Sequence, residues 1–205
     1  MTEPKTPPLK ILRRVIIILA IIIIGLNLWY TSRDEKPKLP VVSRVPEFTF
    51  TNEKNQNFSV ENMKGKVSIT DFIFTSCAGI CPMMSTKMTE LQEELIKDPK
   101  IQFVSFSVDP ETDTPEVLES YARGYGAIDG KWIFLTGDKK EIYKLTRDGF
   151  HLGLDSEGEN AIIHSQKFVL VDGNADIRGY YDSEDSVAMK QLINDARLLQ
   201  SDLGN

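Results

Sequence analysis

The chain has 205 residues, of which 41% are hydrophobic and 26% charged, a composition typical of a globular protein rather than a disordered one. Its formal net charge of −6 argues against nucleic acid as a partner. Residues 1–36 hold six basic and three acidic side chains, a net of +3, so the remainder carries −9. A basic N-terminal segment on an acidic body indicates a chain that meets a membrane at that end.

An apolar stretch without charges runs from Val15 to Tyr30. It is slightly shorter than the roughly 20 residues that span a bilayer comfortably, and its length also resembles the apolar part of a signal peptide. No small-residue cleavage site follows it, and Trp29 and Tyr30 stand where an aromatic interface belt is expected. We therefore predict an uncleaved transmembrane anchor at 15–30.

The flanking segments orient this anchor. Arg13 and Arg14 precede it, and by the positive-inside rule they keep the basic N-terminus, residues 1–14, in the cytoplasm. The body is then expected to be exported to the extracytoplasmic side of the membrane. Residues 31–46 are charged and contain three prolines, which is typical of a semi-extended linker. The folded domain is predicted at 47–205.

Strands and helices alternate along this domain. The predicted strands are 48–50, 67–74, 101–108, 132–135, 167–171 and 177–181, and 57–60 is a further strand or leads into a helical turn at 61–63. Predicted helices follow the cysteine turn to about 97 and cover 114–125, 138–147 and 183–200. This order implies an α/β fold with a central mixed sheet flanked by helices. A strand, a Cys-x-x-x-Cys turn and a helix in this setting indicate a thioredoxin-like fold.

Both cysteines of the chain, Cys77 and Cys81, lie in one turn between a predicted strand and a predicted helix. Pro82 suits the first turn of that helix, because its missing N–H would be unpaired there. A helix N-terminus presents unpaired N–H groups and the positive end of the dipole, and both lower the pKa of a thiol. The two sulfurs can form a disulfide or converge on one soft metal ion. The alternative is a pair of buried, inert cysteines.

The chain has two histidines, His151 and His164. His164 lies just before the strand 167–171, and in a thioredoxin-like layout that loop lies near the cysteine turn. Two thiolates and one imidazole suit copper as Cu(I) or Cu(II), whereas a structural zinc site usually has a fourth strong protein ligand. The residues alone leave open that His164 is a surface or satisfied core histidine, and His151 is interpreted in that way.

Several motifs together resemble the Sco/SenC family, over about Pro46 to Tyr181. The resemblance is carried by Phe72 to Cys77, Cys81-Pro82, Ser107 to Leu118, Trp132 to Gly137, His164-Ser165 and Phe168 to Gly173. It implies a membrane-anchored copper chaperone that delivers copper to the binuclear copper centre of cytochrome c oxidase, or reduces the cysteines of that centre. The location that it implies for the domain is the outer, periplasmic face of the inner membrane. The implied partners are the copper-bearing subunit of the oxidase, other copper chaperones and thioredoxin-like reductants. The implied copper ligands are Cys77, Cys81 and His164.

The chain departs from the family pattern at two places. Ala78 stands where many members have proline. Ile163 and Ser165 flank His164, where many members have an acidic residue, so an oxygen ligand for Cu(II) is unassigned.

Two further groups of side chains have alternative interpretations. Three methionines after the cysteine turn are soft ligands, but at helical spacing they are expected to fill the core: Met83, Met84 and Met88. Three acidic residues form a docking surface or cap the following helix: Asp109, Glu111 and Asp113.

The main alternative function is a thiol–disulfide oxidoreductase of the exported compartment that uses Cys77 and Cys81. It would work without His164 and without copper. A thiol peroxidase is a weaker alternative, because no peroxidase signature surrounds Cys77.

Overall fold

The computed structural model describes residues 9–31, 39–153 and 166–203, and the chain divides into two units, Met1–Lys38 and Leu39–Asn205. The first unit contains one helix, α1 (Leu9–Thr31), whose apolar side chains over residues 11–27 are exposed. Of the helices described, none is both long enough and apolar enough to cross a membrane. The transmembrane anchor at 15–30 stays a prediction.

The second unit is an α/β domain built on one mixed sheet. Its strands over the described residues are β1 (Ser43–Arg44), β2 (Thr49–Asn52), β3 (Asn57–Ser59), β4 (Val67–Ile73), β5 (Ile101–Ser107), β6 (Trp132–Thr136), β7 (Lys167–Val171) and β8 (Asp176–Asp182). They are ordered β1-β8-β7-β4-β5-β6-β2-β3. The strands β4, β5 and β6 are parallel, and every other pairing is antiparallel. The predicted central mixed sheet is confirmed.

Helices cover both faces of this sheet, which explains why β4 and β5 are buried along their whole length. The domain helices are α2 (Ile80–Glu94), α3 (Pro115–Gly124), α4 (Lys139–Lys144) and α5 (Ser186–Asp202). One core lies beneath α2, α3 and α5, and the second lies beneath α4 and the N-terminal strands. In the second core Phe106 packs against the rings of Phe72 and Phe150, with centroids 5.1 and 5.5 Å away.

Polar caps begin three of the helices. Thr114 accepts the backbone N–H of Val117 at the start of α3, and Asp138 accepts that of Glu141 at the start of α4. Both caps were predicted from the sequence. At α5 the cap is Asp185, two residues beyond the predicted start at 183, and its carboxylate accepts the N–H of Val187.

The observed elements differ from the predicted ones at several places. The helix α2 ends at Glu94 rather than near 97, and α4 ends at Lys144 in a π-helical turn, Leu145–Gly149. Both alternatives given for the segment after residue 57 are present in succession: the strand β3 covers Asn57–Ser59, and a 3-10 turn follows over Val60–Asn62. Residues 43–44, inside the predicted linker, pair with β8 as the edge strand β1. A two-residue strand has too little hydrophobic alternation to be recognised in a sequence.

Candidate functional site

The two cysteines lie where β4 ends and α2 begins. Cys77 is half-buried in the loop after β4, and Cys81 is buried in the first turn of α2 with 3% of its surface exposed. Both are free thiols rather than a disulfide. The helix begins at Ile80, so Cys77 precedes it and the two residues do not share a helical turn. The two thiols are nevertheless close enough for each to affect the pKa of the other.

Backbone N–H groups converge on Cys77 Sγ. Burial alone would raise the pKa of this thiol, but donors from the backbone of Cys81, Gly79 and Ile80, together with the Cys81 thiol, outweigh it and lower the pKa. The N–H of Gly79 lies 3.4 Å from Cys77 Sγ. These are the unpaired donors of the first turn of α2, and they stabilise a thiolate. The sequence predicted this effect from the position of the turn.

The Cys81 thiol has the opposite character. Burial raises its pKa to about 12, and the neighbouring Cys77 and Asp71 add to the increase, against a hydrogen bond from the backbone of Phe74. Cys81 packs in the core with Ile73 and Met84. The pair therefore consists of a more accessible thiol whose pKa is lowered and a shielded thiol whose pKa is raised.

His164 lies outside the described residues, so its predicted place beside the cysteines stays a prediction. His151 is exposed and its backbone has a φ of +52°, a left-handed conformation uncommon for a residue with a side chain. Over residues 39–153 and 166–203, no three His, Cys, Asp or Glu side chains form a group able to hold a metal ion.

The methionines after the cysteine turn mostly fill the core, as expected from their helical spacing. Met84 and Met88 are fully buried beneath α2 and pack in the same core as Cys81, whereas Met83 is half-buried. A helix that packs one face on a sheet buries residues four apart, which explains why Met84 and Met88 are covered together.

The acidic residues after β5 have separate roles. Glu111 is exposed and pairs with Lys139 at 3.2 Å. Asp113 is fully buried and therefore is not part of a docking surface, and the side chain that caps α3 is that of Thr114, so neither alternative given for the acidic residues applies to Asp113. The carboxylate of Asp113 is directed to the cysteine turn and accepts hydrogen bonds from Thr75.

One buried acid close to the site was not expected from the sequence. Asp71 lies in the middle of β4, fully buried, and Ser105 Oγ donates to its Oδ1 at 2.6 Å. Trp132 Nε1 in turn donates to Ser105 Oγ at 2.9 Å. Asp71 Oδ2 has no hydrogen-bond partner among the described residues. A single charged residue inside a strand that is otherwise apolar or hydroxyl-bearing was the signal that could have identified it.

Comparisons with known proteins agree with this architecture. The SCO1/SenC family model matches residues 38–197. The chain is 36% identical over 163 residues to the SCO1 protein homolog of Bacillus subtilis, covering 78% of this chain and 84% of that protein. The SCO2-like protein of Rickettsia felis is 32% identical over 178 residues, covering 78% of this chain and 84% of its own length.

Solved structures give the same result. The SCO1/SenC family lipoprotein of Bacillus anthracis superposes with a TM-score of 0.70 at 34% identity, over 77% of this chain and 95% of that one. The Sco protein BsSco superposes with a TM-score of 0.71 at 32% identity, over 81% of this chain and 99% of that one. The α/β, thioredoxin-like fold with its mixed sheet and flanking helices is thus shared with these proteins, and the chain described here belongs to the SCO1/SenC family.

Proposed function

We propose that this protein binds copper through Cys77, Cys81 and His164 and delivers it during the assembly of cytochrome c oxidase. The observation that carries the proposal is the pair of free thiols at the N-terminus of α2, where each thiol affects the pKa of the other. Thiolate sulfur and imidazole nitrogen are ligands that copper accepts in either oxidation state. The donors around Cys77 Sγ favour the thiolate that a metal requires.

The Cys81 thiol makes metal binding dependent on proton release. Its pKa of about 12 means that the thiol is protonated at neutral pH, so that coordination by Cys81 expels a proton. Copper binding should therefore strengthen with rising pH. His164 would supply the nitrogen ligand, an assignment supported by the family resemblance at His164-Ser165.

The relatives support copper as the cargo and the oxidase as its destination. Sco proteins of Bradyrhizobium japonicum and yeast, which share the fold at 20% and 21% identity, have been solved with copper bound. BsSco, at 32% identity, is described as a member of a family of cytochrome c oxidase assembly proteins. We propose the copper-bearing subunit of an oxidase as the recipient, with other copper chaperones or thioredoxin-like reductants as further partners.

A titration tests the ligand set. Cu(II) added to the reduced domain, residues 39–205, should bind near one equivalent and give a thiolate-to-copper charge-transfer band. Cys77→Ser and Cys81→Ser should remove the band, and His164→Ala should weaken binding strongly. His151→Ala is the matched control, because it removes the other histidine from an exposed position. Binding that is indifferent to His164 but sensitive to both cysteines would contradict the proposed ligand set.

A second function, thiol–disulfide exchange, is favoured by the contrast between the two thiols. A half-buried thiol of lowered pKa is suited to attack a partner disulfide, and a buried thiol of raised pKa is suited to resolve the mixed disulfide. Reduction of a model disulfide by copper-free protein, at the same rate in His164→Ala, would establish this activity. Absence of turnover in both proteins would exclude it.

We also propose that residues 15–30 anchor the protein in the inner membrane, with residues 1–14 in the cytoplasm and the domain outside. This proposal rests on the uncharged sequence and on Arg13 and Arg14 before it. The full-length chain should stay with membranes after carbonate extraction. A soluble mature form that begins near residue 31 would instead show a cleaved signal.

A further inference from the structure

The carboxylate of Asp113 lies between the cysteine turn and the loop that follows β5. It is fully buried, and it forms no ion pair with a lysine, an arginine or a histidine in the part of the chain that the structure describes. A buried carboxylate without a counterion needs hydrogen-bond donors in its place. The structure supplies them from two other segments of the chain.

Both carboxylate oxygens of Asp113 accept hydrogen bonds. Thr75 Oγ1 donates to Oδ1 at 2.5 Å, and the Thr75 N–H lies 3.1 Å from Oδ2 and 3.3 Å from Oδ1. Ser107 Oγ donates to Oδ2 at 2.5 Å. Charged acceptors form the stronger protein hydrogen bonds, and the bond from Ser107 is buried while those from Thr75 are partly buried.

One side of this network ends in the cysteine turn. Thr75 stands two residues before Cys77, and the N–H of Cys77 donates to the carbonyl of Phe74 at 3.3 Å. The Thr75 side chain and backbone are both tied to Asp113, which restrains the backbone directly before Cys77. The position of Cys77 Sγ relative to the helix N-terminus then depends on this restraint.

The other side of the network ends at the start of α3. The N–H of Asp113 donates to the carbonyl of Asp109 at 2.9 Å, and the N–H of Asp109 donates to Ser107 Oγ at 3.1 Å. Because β4 and β5 are parallel and Ile73 is paired with Ser107, the two loops leave the sheet at the same edge. Asp113 is therefore the bridge between the cysteine turn and the loop beside it.

We propose that Asp113 is a positioning residue that holds Cys77 against Cys81 and so sets how readily the two thiols form a disulfide. This inference rests on Cys77 and Cys81 being the working thiols of the proposed function, and it requires neither copper nor His164. Loss of the bridge releases the turn, lowers the chance that the sulfurs meet and makes the disulfide less stable relative to the thiols.

The relevant step is exchange with oxidised glutathione. The two protein thiols give up two electrons and two protons, one S–S bond forms between Cys77 and Cys81, and the S–S bond of oxidised glutathione breaks to give two glutathione thiols. Equilibration of the metal-free domain in glutathione buffers, followed by acid quench and alkylation, measures this equilibrium constant. Unfolding is followed in parallel on the same samples.

Asp113→Asn should reduce the equilibrium constant about tenfold, which is about 30 mV in potential. The amide cannot accept on both sides, so that one donor from Thr75 or Ser107 loses its partner. Thr75→Val should also lower the equilibrium constant, with no change of charge. The double variant should lower it little further, because both substitutions remove the same contact between Asp113 and Thr75. Glu111→Gln is the control, since it removes one charge from an exposed side chain of the same loop.

The same equilibrium constant for the wild type and for Thr75→Val would overturn the proposal, even if Thr75→Val were less stable. If Asp113→Asn shifted the equilibrium and Thr75→Val did not, the charge of Asp113 rather than its bridge would be responsible, and the proposal would also fail. Should Asp113→Asn not fold, Ser107→Ala and Thr75→Val together decide the question. Because no copper enters this measurement, its failure is distinguishable from failure of the proposed copper site.

Discussion

Replacement of Asp71 by asparagine tests how much the buried carboxyl group close to the cysteines lowers the free energy of unfolding when it ionises. Burial raises the pKa of Asp71 from 3.8 to about 7, against the lowering effects of the Ser105 hydroxyl and of its own backbone. Asp71 Oδ1 accepts from Ser105 at 2.6 Å, and no described residue contributes a hydrogen bond to Oδ2. Asparagine has nearly the same shape and can keep the contact with Ser105.

The magnitude follows from the change in pKa on folding. The folded pKa is higher than the unfolded one, so between about pH 4 and pH 7 the folded protein holds a proton that the unfolded chain has released. Stability is therefore highest at low pH with respect to this group and falls as the pH rises through about 7. At about 1.4 kcal/mol per pH unit, the full loss is about 4 kcal/mol.

The assay is denaturant unfolding of the reduced domain at intervals from pH 4 to pH 8, for the wild type and for Asp71→Asn. The free energy of unfolding of the variant minus that of the wild type should rise by about 4 kcal/mol across this range. Asp129→Asn, at an exposed position, controls for the loss of one negative charge. A difference curve for Asp71→Asn that stays level with pH would refute the reasoning, because it would mean that Asp71 titrates alike in both states.

Three other measurements check separate parts of the structure. Iodoacetamide at pH 7 should label Cys77 and leave Cys81 unreacted until the protein unfolds, because the pKa of Cys77 is lowered and that of Cys81 is raised to about 12. Mass spectrometry of the peptides measures the labelling of each cysteine. Equal labelling of both cysteines in the folded protein would contradict this expectation. Arg178→Met should destabilise the domain by about 3–5 kcal/mol in urea unfolding, since it leaves the carboxylate of Asp172 buried without its cation. Met88→Ala should cost about 2–5 kcal/mol by the same measurement while the copper stoichiometry stays unchanged, and a lost equivalent of copper would show that the residue is a ligand rather than core.

Much of the fold was predictable because its signals are local. The apolar runs of β4, β5 and β7 and the polar caps of α3 and α4 depend on neighbours within a few residues. The helix N-terminus beside Cys77, and the lowered pKa of that thiol, followed from the same local pattern. The family could be recognised from linear motifs for the same reason.

The wider environment of the cysteines could not be predicted in this way. Asp113 contacts Thr75 across 38 positions of sequence, and Ser105 contacts Asp71 across 34. Nothing in the sequence distinguishes the buried Asp113 from its exposed neighbour Glu111. Whether an acid is exposed or buried depends on which loops meet at the edge of the sheet, and only the strand order decides that.

By itself, then, the sequence determined which segments are strands and helices, that two thiols stand at a helix N-terminus, and which family pattern they match. The tertiary structure alone decided that one thiol is half-exposed and the other shielded, and that the carboxylate of Asp113 ties their turn to the next loop. It also decided that the buried Asp71 lies close to them, with one carboxylate oxygen bonded to Ser105 and the other without a hydrogen-bond partner among the described residues. The physical reason is that local conformation depends on nearby residues, whereas burial and the hydrogen bonds of buried groups depend on the residues that folding brings together.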